Sequence, residues 1–388
     1  MFNHVMNFGL SEEIEALRDT VRRFAADEIA PRAAEIDASN EFPMDLWEKM
    51  GALGLHGITV PEADGGVDMG YLAHCIAIEE ISRASASVGL SYGAHSNLCV
   101  NQINRWGTAA QKAKYLPKLI SGENVGALAM SEPGAGSDVV SMKLRAERRN
   151  DGYLLNGNKM WITNGPDAST LIVYAKSDPD AGPKGITAFL VERGMEGFST
   201  PETHNKWSLR ASATGELIFD NVKVPKENLL PNKTGLGAPL GCLDSARYGI
   251  AWGAIGAAMD CYDTALRYSK ERIQFGKPIG QFQLQQKKLA EMITEITKAQ
   301  LLTWRLGVLR NEGRATSAQI SMAKRNNVDM AINIAREARQ MLGGMGITGE
   351  YSIMRHSMNL ESVITYEGTH DIHLLITGLD ITGLNAFK

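Results

Sequence analysis

The chain has 388 residues, 44% of them apolar, and a formal net charge of −4. That length accommodates two or three packed domains, and the composition excludes a fibrous or disordered polymer. So small a net charge implies no broad cationic face for nucleic acid or anionic lipid, and a polyphosphate ligand is expected to be held by a few placed groups.

No uninterrupted apolar run approaches the roughly 20 residues that cross a bilayer, and residues 1–10 lack the basic start and apolar core of a secretory signal. The chain is expected to stay inside a cell or organelle. Helical spacing begins after Ser11, where Ile14, Leu17, Val21 and Phe24 recur every three or four positions, and it continues to about Ser121. Pro31 interrupts one helix, Pro43 opens another, and Asp64-Gly65-Gly66 is a loop. Between Asn124 and about Val224 the period shortens. Residues 153–163 read as strand, Asn156-Gly157 turn, strand, and the apolar runs 171–175 and 186–191 continue a β-domain. Long helical blocks return at about 236–271, 281–311, 317–342 and 371–386, which suits an antiparallel bundle of four or more helices. The expected fold class is α+β multidomain, with helical residues 1–122, a β-domain over 123–235 and a helical bundle over 236–388. Helices and sheet are segregated and no GxGxxG follows a strand, which argues against a doubly wound nucleotide-binding fold. Cys75, Cys99, Cys242 and Cys261 are widely spaced without a CxxC pair, so neither zinc site nor disulfide framework is indicated and buried thiols are expected.

Six stretches could carry chemistry. The loop from Leu128 through Met130 and Ser131-Glu132-Pro133-Gly134-Ala135-Gly136-Ser137-Asp138 is rich in small residues, which lets backbone N–H and C=O groups approach a flat ligand; a surface turn is the ordinary alternative. Trp161-Ile162-Thr163 ends a strand, with Trp161 free either to pack on a ring system or to fill a core. Arg272 with Phe275 follows a long helix, where a guanidinium can fork onto a pyrophosphate or merely be solvated. Asp244 and Arg247 lie three apart on one helix face and can form an intrahelical ion pair. Gly343 and Gly344 follow a helix and read equally as its C-cap. Near the C-terminus, Tyr366-Glu367-Gly368-Thr369-His370-Asp371 sets a carboxylate beside a glycine. Glu367 can serve as a general base if it is held against a substrate and kept from water, while Thr369 is an ordinary N-cap for the helix that follows.

Taken in order, 131–138, Trp161-Ile162-Thr163-Asn164, Arg272-x-Gln274-Phe275-Gly276, Gln340-Met341-Leu342-Gly343-Gly344 and Tyr366-Glu367-Gly368-Thr369 resemble the acyl-CoA dehydrogenases over nearly the whole chain. The resemblance implies a helical domain, a β-barrel domain and a four-helix bundle, with FAD held in a homotetramer that passes electrons to electron-transfer flavoprotein, in the bacterial cytoplasm or the mitochondrial matrix. It further implies that Leu128, Met130, Ser131, Ser137, Trp161, Ile162 and Thr163 line the flavin, with Ser137 also touching CoA. Arg272, Phe275 and Gln283 would hold the FAD pyrophosphate and adenosine, with Gln340, Gly343 and Gly344 reaching in from a neighbouring subunit and Thr369 and Asp371 completing the site. Asp244 and Arg247 would contact CoA, and Tyr366 and Gly368 would flank the acyl group.

Residues 1 to about 198 look like the isovaleryl-CoA branch, and residues from about 206 onward look like the glutaryl-CoA branch, a mosaic or chimera joined near the end of the β-domain. The isovaleryl branch carries its base at the position of Ala246, which cannot take a proton; the glutaryl branch uses the glutamate that is Glu367 here. In the glutaryl branch an arginine and a serine receive the distal carboxylate, and those positions fall at Gly89 and Leu90. Burying a second carboxylate without a cation costs several kcal/mol, so a short straight or branched acyl group of isovaleryl or butyryl size, as in amino-acid catabolism, is the expected substrate. The implied reaction removes the α-proton at Glu367 while the β-hydrogen leaves as hydride, giving a trans-2-enoyl-CoA. The alternatives are a decarboxylating glutaryl-CoA dehydrogenase, an acyl-CoA oxidase and an acyl-CoA-binding protein without catalysis.

Overall fold

The computed structural model describes residues 8–231 and 235–387, so most of the 1–10 segment lies outside the described residues. The first helix, α1 (Glu12–Phe24), starts where Ser11 Oγ accepts from the Ile14 amide at 3.4 Å. It leads through a wide turn and the Pro31 turn into α2 (Ala33–Ser39) and α3 (Asp45–Ala52). The next two, α4 (Gly70–Ala84) and α5 (Ala86–Gly93), are separated by Ser85, whose Oγ accepts from the Val88 amide at 3.4 Å. A wide turn over Ala94–Val100 joins them to α6 (Asn101–Trp106) and α7 (Ala109–Ser121), the latter opened by a Thr108/Gln111 capping box. Every residue of α4 from Leu72 to Ser82 is buried, because this helix packs against α1 on one side and the C-terminal bundle on the other.

The middle of the chain forms one curled seven-stranded sheet. Its strands are β1 (Gly126–Ala129), β2 (Arg145–Arg149), β3 (Gly152–Thr163), β4 (Thr170–Lys176), β5 (Ile186–Glu192), β6 (Phe198–Ser199) and β7 (Thr214–Pro225), ordered β1-β4-β2-β3-β7-β6 with β5 paired to β4. All but the last residue of β4 are buried, so its sequence is a continuous apolar run without alternation. The hairpin expected at Asn156-Gly157 is not formed. Residues 152–163 are a single strand, and the pairing with β7 shifts register between Leu155 and Gly157 and again between Lys159 and Ile162. A glycine with φ of 131° that serves a bulge carries the same sequence signature as a turn glycine.

The bundle consists of α8 (Gly237–Glu271), α9 (Gln283–Asn311), α10 (Ser317–Met341), α11 (Ile353–Val363) and α12 (His370–Thr382), with a small ribbon, β8 (Ile273–Gln274) and β9 (Lys277–Pro278), linking α8 to α9. The last block stops at Thr382 rather than continuing to 386, because Gly383 caps it in the left-handed conformation with φ of 70°. Leu72, Cys75 and Ile76 of α4 belong to the same apolar core as α8, α9 and α10, so the first and last parts of the chain share one interior. All four cysteines are buried free thiols, and among the described residues no helix is long and apolar enough to cross a membrane.

Candidate active site

A cleft enclosing about 570 Å³ of empty space, its open mouth included, lies where α4 and α5 meet α8 and the end of α11. It brings together Gly89, Leu90, Ala246, Tyr366 and Glu367, residues from both ends of the sequence. Ser82, Asn97 and Tyr366 are its polar walls, and Glu367 is the only charged residue among the described lining. Arg83, one residue beyond Ser82, points elsewhere and pairs with Asp263. A side chain at Gly89 has no room: its Cβ would stand 2.1 Å from Ser82 Oγ and 3.1 Å from Ser82 Cα. The space that a side chain at Gly89 would need is filled by Ser82 of the neighbouring helix.

Glu367 sits in the turn between α11 and α12 with φ of 54°, followed by Gly368 at 91°. A left-handed conformation costs a non-glycine residue roughly 1–2 kcal/mol, so surrounding bonds must hold it. They are present. Arg247 Nε donates to the Glu367 carbonyl at 2.9 Å, and Lys324 Nζ donates to the carbonyls of Tyr366 and Gly368, each at 3.0 Å. Gly368 is required twice over, by its φ and because a Cβ there would lie 3.0 Å from the ring of buried His373. Thr369 accepts from the Ile372 amide at 3.2 Å, so the capping role read from the sequence is real and coexists with the site. The Glu367 side chain is half-buried with Oε2 wholly covered and unpartnered. Burial pushes its carboxyl up to about 7, against the opposing pull of Arg247 and Lys324. That places the proton affinity near neutrality, where a general base works best.

Asp244 and Arg247 do form the intrahelical ion pair, at 3.1 Å, and Asp244 also accepts from Ser317. At the rim of the sheet, the register shift at Lys159/Ile162 turns Trp161 outward: its φ is 64° and 60% of it is exposed, so it is not core. Ile162 is buried beside it and Thr163 is half-buried. The neighbouring loop is fixed by a feature the sequence reading missed. Buried Lys159 donates to Glu132 at 2.9 Å and to the Met130 carbonyl at 2.8 Å, while Glu132 accepts from the Lys143 and Leu144 amides. The Met160 amide also bonds the Ser131 carbonyl at 2.9 Å. The loop thus presents half-buried Leu128 and Ser131 and exposed Ser137 beside buried Met130. A lysine in an alternating strand reads as solvated, which is why this pair was invisible.

The remaining residues expected at a cofactor stand at the end of the bundle. Arg272, Phe275 and Gln283 are exposed at and after the β8/β9 ribbon, and Lys288 Nζ joins Gln340 at 2.8 Å, holding the start of α9 against the end of α10. Gly343, which has positive φ, and Gly344 continue from there, and a Cβ at either would meet nothing. Asp371 is exposed in the first turn of α12. Exposed Trp161 at the sheet rim offers a flat aromatic face, and at the bundle end exposed Phe275, 93% accessible, stands with the exposed Arg272 guanidinium and glycines that leave backbone open, chemistry suited to a flat ring at the first place and an anionic group at the second.

Family models for the N-terminal, middle and C-terminal domains of acyl-CoA dehydrogenases match residues 11–123, 127–222 and 233–380. An isovaleryl-CoA dehydrogenase of Oryza sativa, a mitochondrial protein, is 50% identical over 370 residues, covering 95% of this chain and 90% of that relative. A Mycobacterium smegmatis glutaryl-CoA dehydrogenase solved in complex with FADH2 superposes with a TM-score of 0.94 at 40% identity, over 98% of this chain and 97% of the other. A structure described for the electron transferring flavoprotein of Acidaminococcus fermentans superposes at 0.94 with 37% identity, covering 97% and 100%. The isovaleryl and glutaryl likenesses each extend through both halves of the chain, the former at the higher identity. A helical, sheet and helical flavoenzyme architecture with a carboxylate at an apolar cleft is the class that fold and site define. The chain belongs to the acyl-CoA dehydrogenase family, and it is an FAD-dependent acyl-CoA dehydrogenase.

Proposed function

We propose that Glu367 is the catalytic base of an α,β-dehydrogenation whose substrate is a short straight or branched monocarboxylic acyl-CoA. The observation that carries this reading is the cleft itself: one carboxylate stands in an otherwise uncharged, largely apolar wall, with Ala246 at the other position where a base could project. The Glu367 carboxylate takes the α-proton, and its backbone N–H, which makes no hydrogen bond among the described residues, can donate to the thioester oxygen as negative charge develops there. FAD, when bound, supplies the acceptor for the β-hydrogen as hydride. Leu128, Met130, Ser131, Ser137, Trp161, Ile162 and Thr163 would lie along the ring, and Arg272, Phe275, Gln283, Gln340, Gly343, Gly344, Thr369 and Asp371 would hold the remainder, across a subunit boundary in a homotetramer. The acyl chain would run from Glu367 past Tyr366 and Leu90 toward Gly89 and Ser82, with CoA leaving by way of Ser137, Asp244 and Arg247.

Electron-transfer flavoprotein is the proposed acceptor, in keeping with family practice, and the compartment is proposed as bacterial cytoplasm or mitochondrial matrix, the latter being that of the rice relative. Glu367→Gln tests the base: bound flavin and acyl-CoA affinity are retained while turnover is lost, and an active variant refutes the assignment. Steady-state rates on isovaleryl-, butyryl- and glutaryl-CoA test the pocket. Glutaryl-CoA is expected to be the poorest of the three, since no cation among the described lining residues offsets its second carboxylate. Efficient glutaryl turnover with loss of carbon dioxide would favour the decarboxylating alternative.

A further inference from the structure

Lys324 projects from the middle of α10, a helix whose apolar face builds the bundle core, yet its ammonium is fully buried and pairs with backbone rather than with a carboxylate. Its Nζ donates to the carbonyl oxygens of Val363 at 2.7 Å, Tyr366 at 3.0 Å and Gly368 at 3.0 Å. Its three N–H donors are thereby all used on one short segment, 363–368, which surrounds Glu367. The first acceptor is the carbonyl at the end of α11, where a cation complements the helix terminus. The other two flank the left-handed Glu367-Gly368 pair. With Arg247 on the Glu367 carbonyl, three successive carbonyls, 366, 367 and 368, are each fixed by a buried cationic side chain.

We propose that Lys324 is a positioning residue for the reaction, one that acts through the 366–368 backbone to aim both the Glu367 carboxylate and the Glu367 N–H into the cleft. This rests on the reading of Glu367 as the base. The peptide between Tyr366 and Glu367 is planar and trans, so its C=O and N–H point in opposite directions. Pinning the Tyr366 carbonyl on Lys324 therefore turns the Glu367 N–H away from Lys324. The Gly368 carbonyl, held by the same ammonium, fixes the far side of the residue and with it the direction of its Cα–Cβ bond. A general base displaced by about 1 Å can lose on the order of 100-fold in rate, so control of one turn has a large lever on turnover.

The charge of Lys324 also acts on Glu367. The charged and titratable groups that act on this carboxylate are Arg247 and Cys242 of α8, Lys324 of α10 and Tyr366 on its own turn; Asp244 is paired with Arg247, and His370 and His373 of α12 lie beside Lys324. Burial lowers both imidazoles and raises the Cys242 thiol and the Tyr366 phenol, so all four are neutral near pH 7. Burial also lowers Lys324, to about 7, with Glu367 opposing; three carbonyl acceptors favour its charged form. Removing that positive charge must raise the proton affinity of Glu367.

The test is the Lys324→Met holoenzyme, compared with wild type and with Glu367→Gln. The expected result is retained flavin, a kcat lower by about 100-fold with KM changed little, and a kcat/KM midpoint displaced to higher pH. A merely structural lysine would lower thermal stability and flavin content together and leave the midpoint where it was. Flavin-loaded Lys324→Met with wild-type kcat, or with an unmoved midpoint, overturns the proposal. Should that variant not accumulate, Lys324→Arg decides. A planar guanidinium cannot reach three convergent carbonyls, so kcat falls at least about tenfold with flavin and KM kept, and a wild-type kcat overturns the proposal. Full activity in Glu367→Gln identifies failure of the base assignment itself, separately from that of Lys324.

Discussion

Glu367 is a carboxylate raised toward neutrality inside a strained turn, and both properties are measurable. Because its folded-state proton affinity lies near 7, the ionised base is depleted below that pH, so kcat/KM should fall about tenfold per unit on the acid side and level off above it. A flat profile from pH 5 to 8 would show that another group takes the proton. Gly368→Ala should cost roughly 1–2 kcal/mol in stability from its φ alone, with a further loss of turnover as the new Cβ presses on His373; thermal unfolding and kcat measure the two parts. Glu367 stood out through the family resemblance of Tyr366-Glu367-Gly368-Thr369, since the local residues alone read more readily as the start of a helix. Lys324 did not, since a lysine on a long helix is ordinarily solvated and nothing local says that its face is turned inward.

Helix starts and stops were legible where a single side chain sets them, as at Ser11, whose hydroxyl caps α1, and at Thr369 before α12. Replacing Thr369 by alanine removes the bond to the Ile372 amide and should destabilise the protein by about 1 kcal/mol. Restored stability in Thr369→Ser would assign that loss to the cap, and flavin content would show whether the residue has its proposed second role. α11 escaped detection because His356 and Asn359 occupy its buried face between Ile353, Leu360 and Val363, breaking the apolar period. The Asn156-Gly157 bulge was taken for a hairpin because loop chemistry alone does not tell whether the chain reverses; only the partner strand β7, far along the sequence, decides. The second irregularity in β3 is what swings Trp161 clear of the sheet.

Across the whole molecule, the sheet-centred middle and the two helical parts were visible from the change of period, whereas Gly89, Leu90 and Glu367 could be set around one pocket only through the family resemblance, because they are neighbours only after folding. The exposed Phe275, Leu284 and Ile381, 93%, 72% and 76% accessible, are large apolar surfaces of the kind that oligomers cover. Light scattering should give four times the chain mass, and dilution that dissociates the assembly should release flavin with it if Gln340, Gly343 and Gly344 serve a neighbouring copy's site. A monomer that keeps its flavin on dilution would contradict that arrangement.

The sharing of one interior by α4 and α8 also divides the work of the cleft between two inheritable parts. Gly89, Leu90 and Ser82 line one side of it from the N-terminal helices, while Ile250, Gly253, Ala254, Leu360 and Val363 line the other side from the bundle, which also carries Glu367 and the cations that hold its turn. A substitution in α4 or α5 can therefore reshape one wall of the cleft while the turn that holds Glu367 stays as it is. Shape and charge at this seam are thus set by different side chains, and one wall can change without the carboxylate moving.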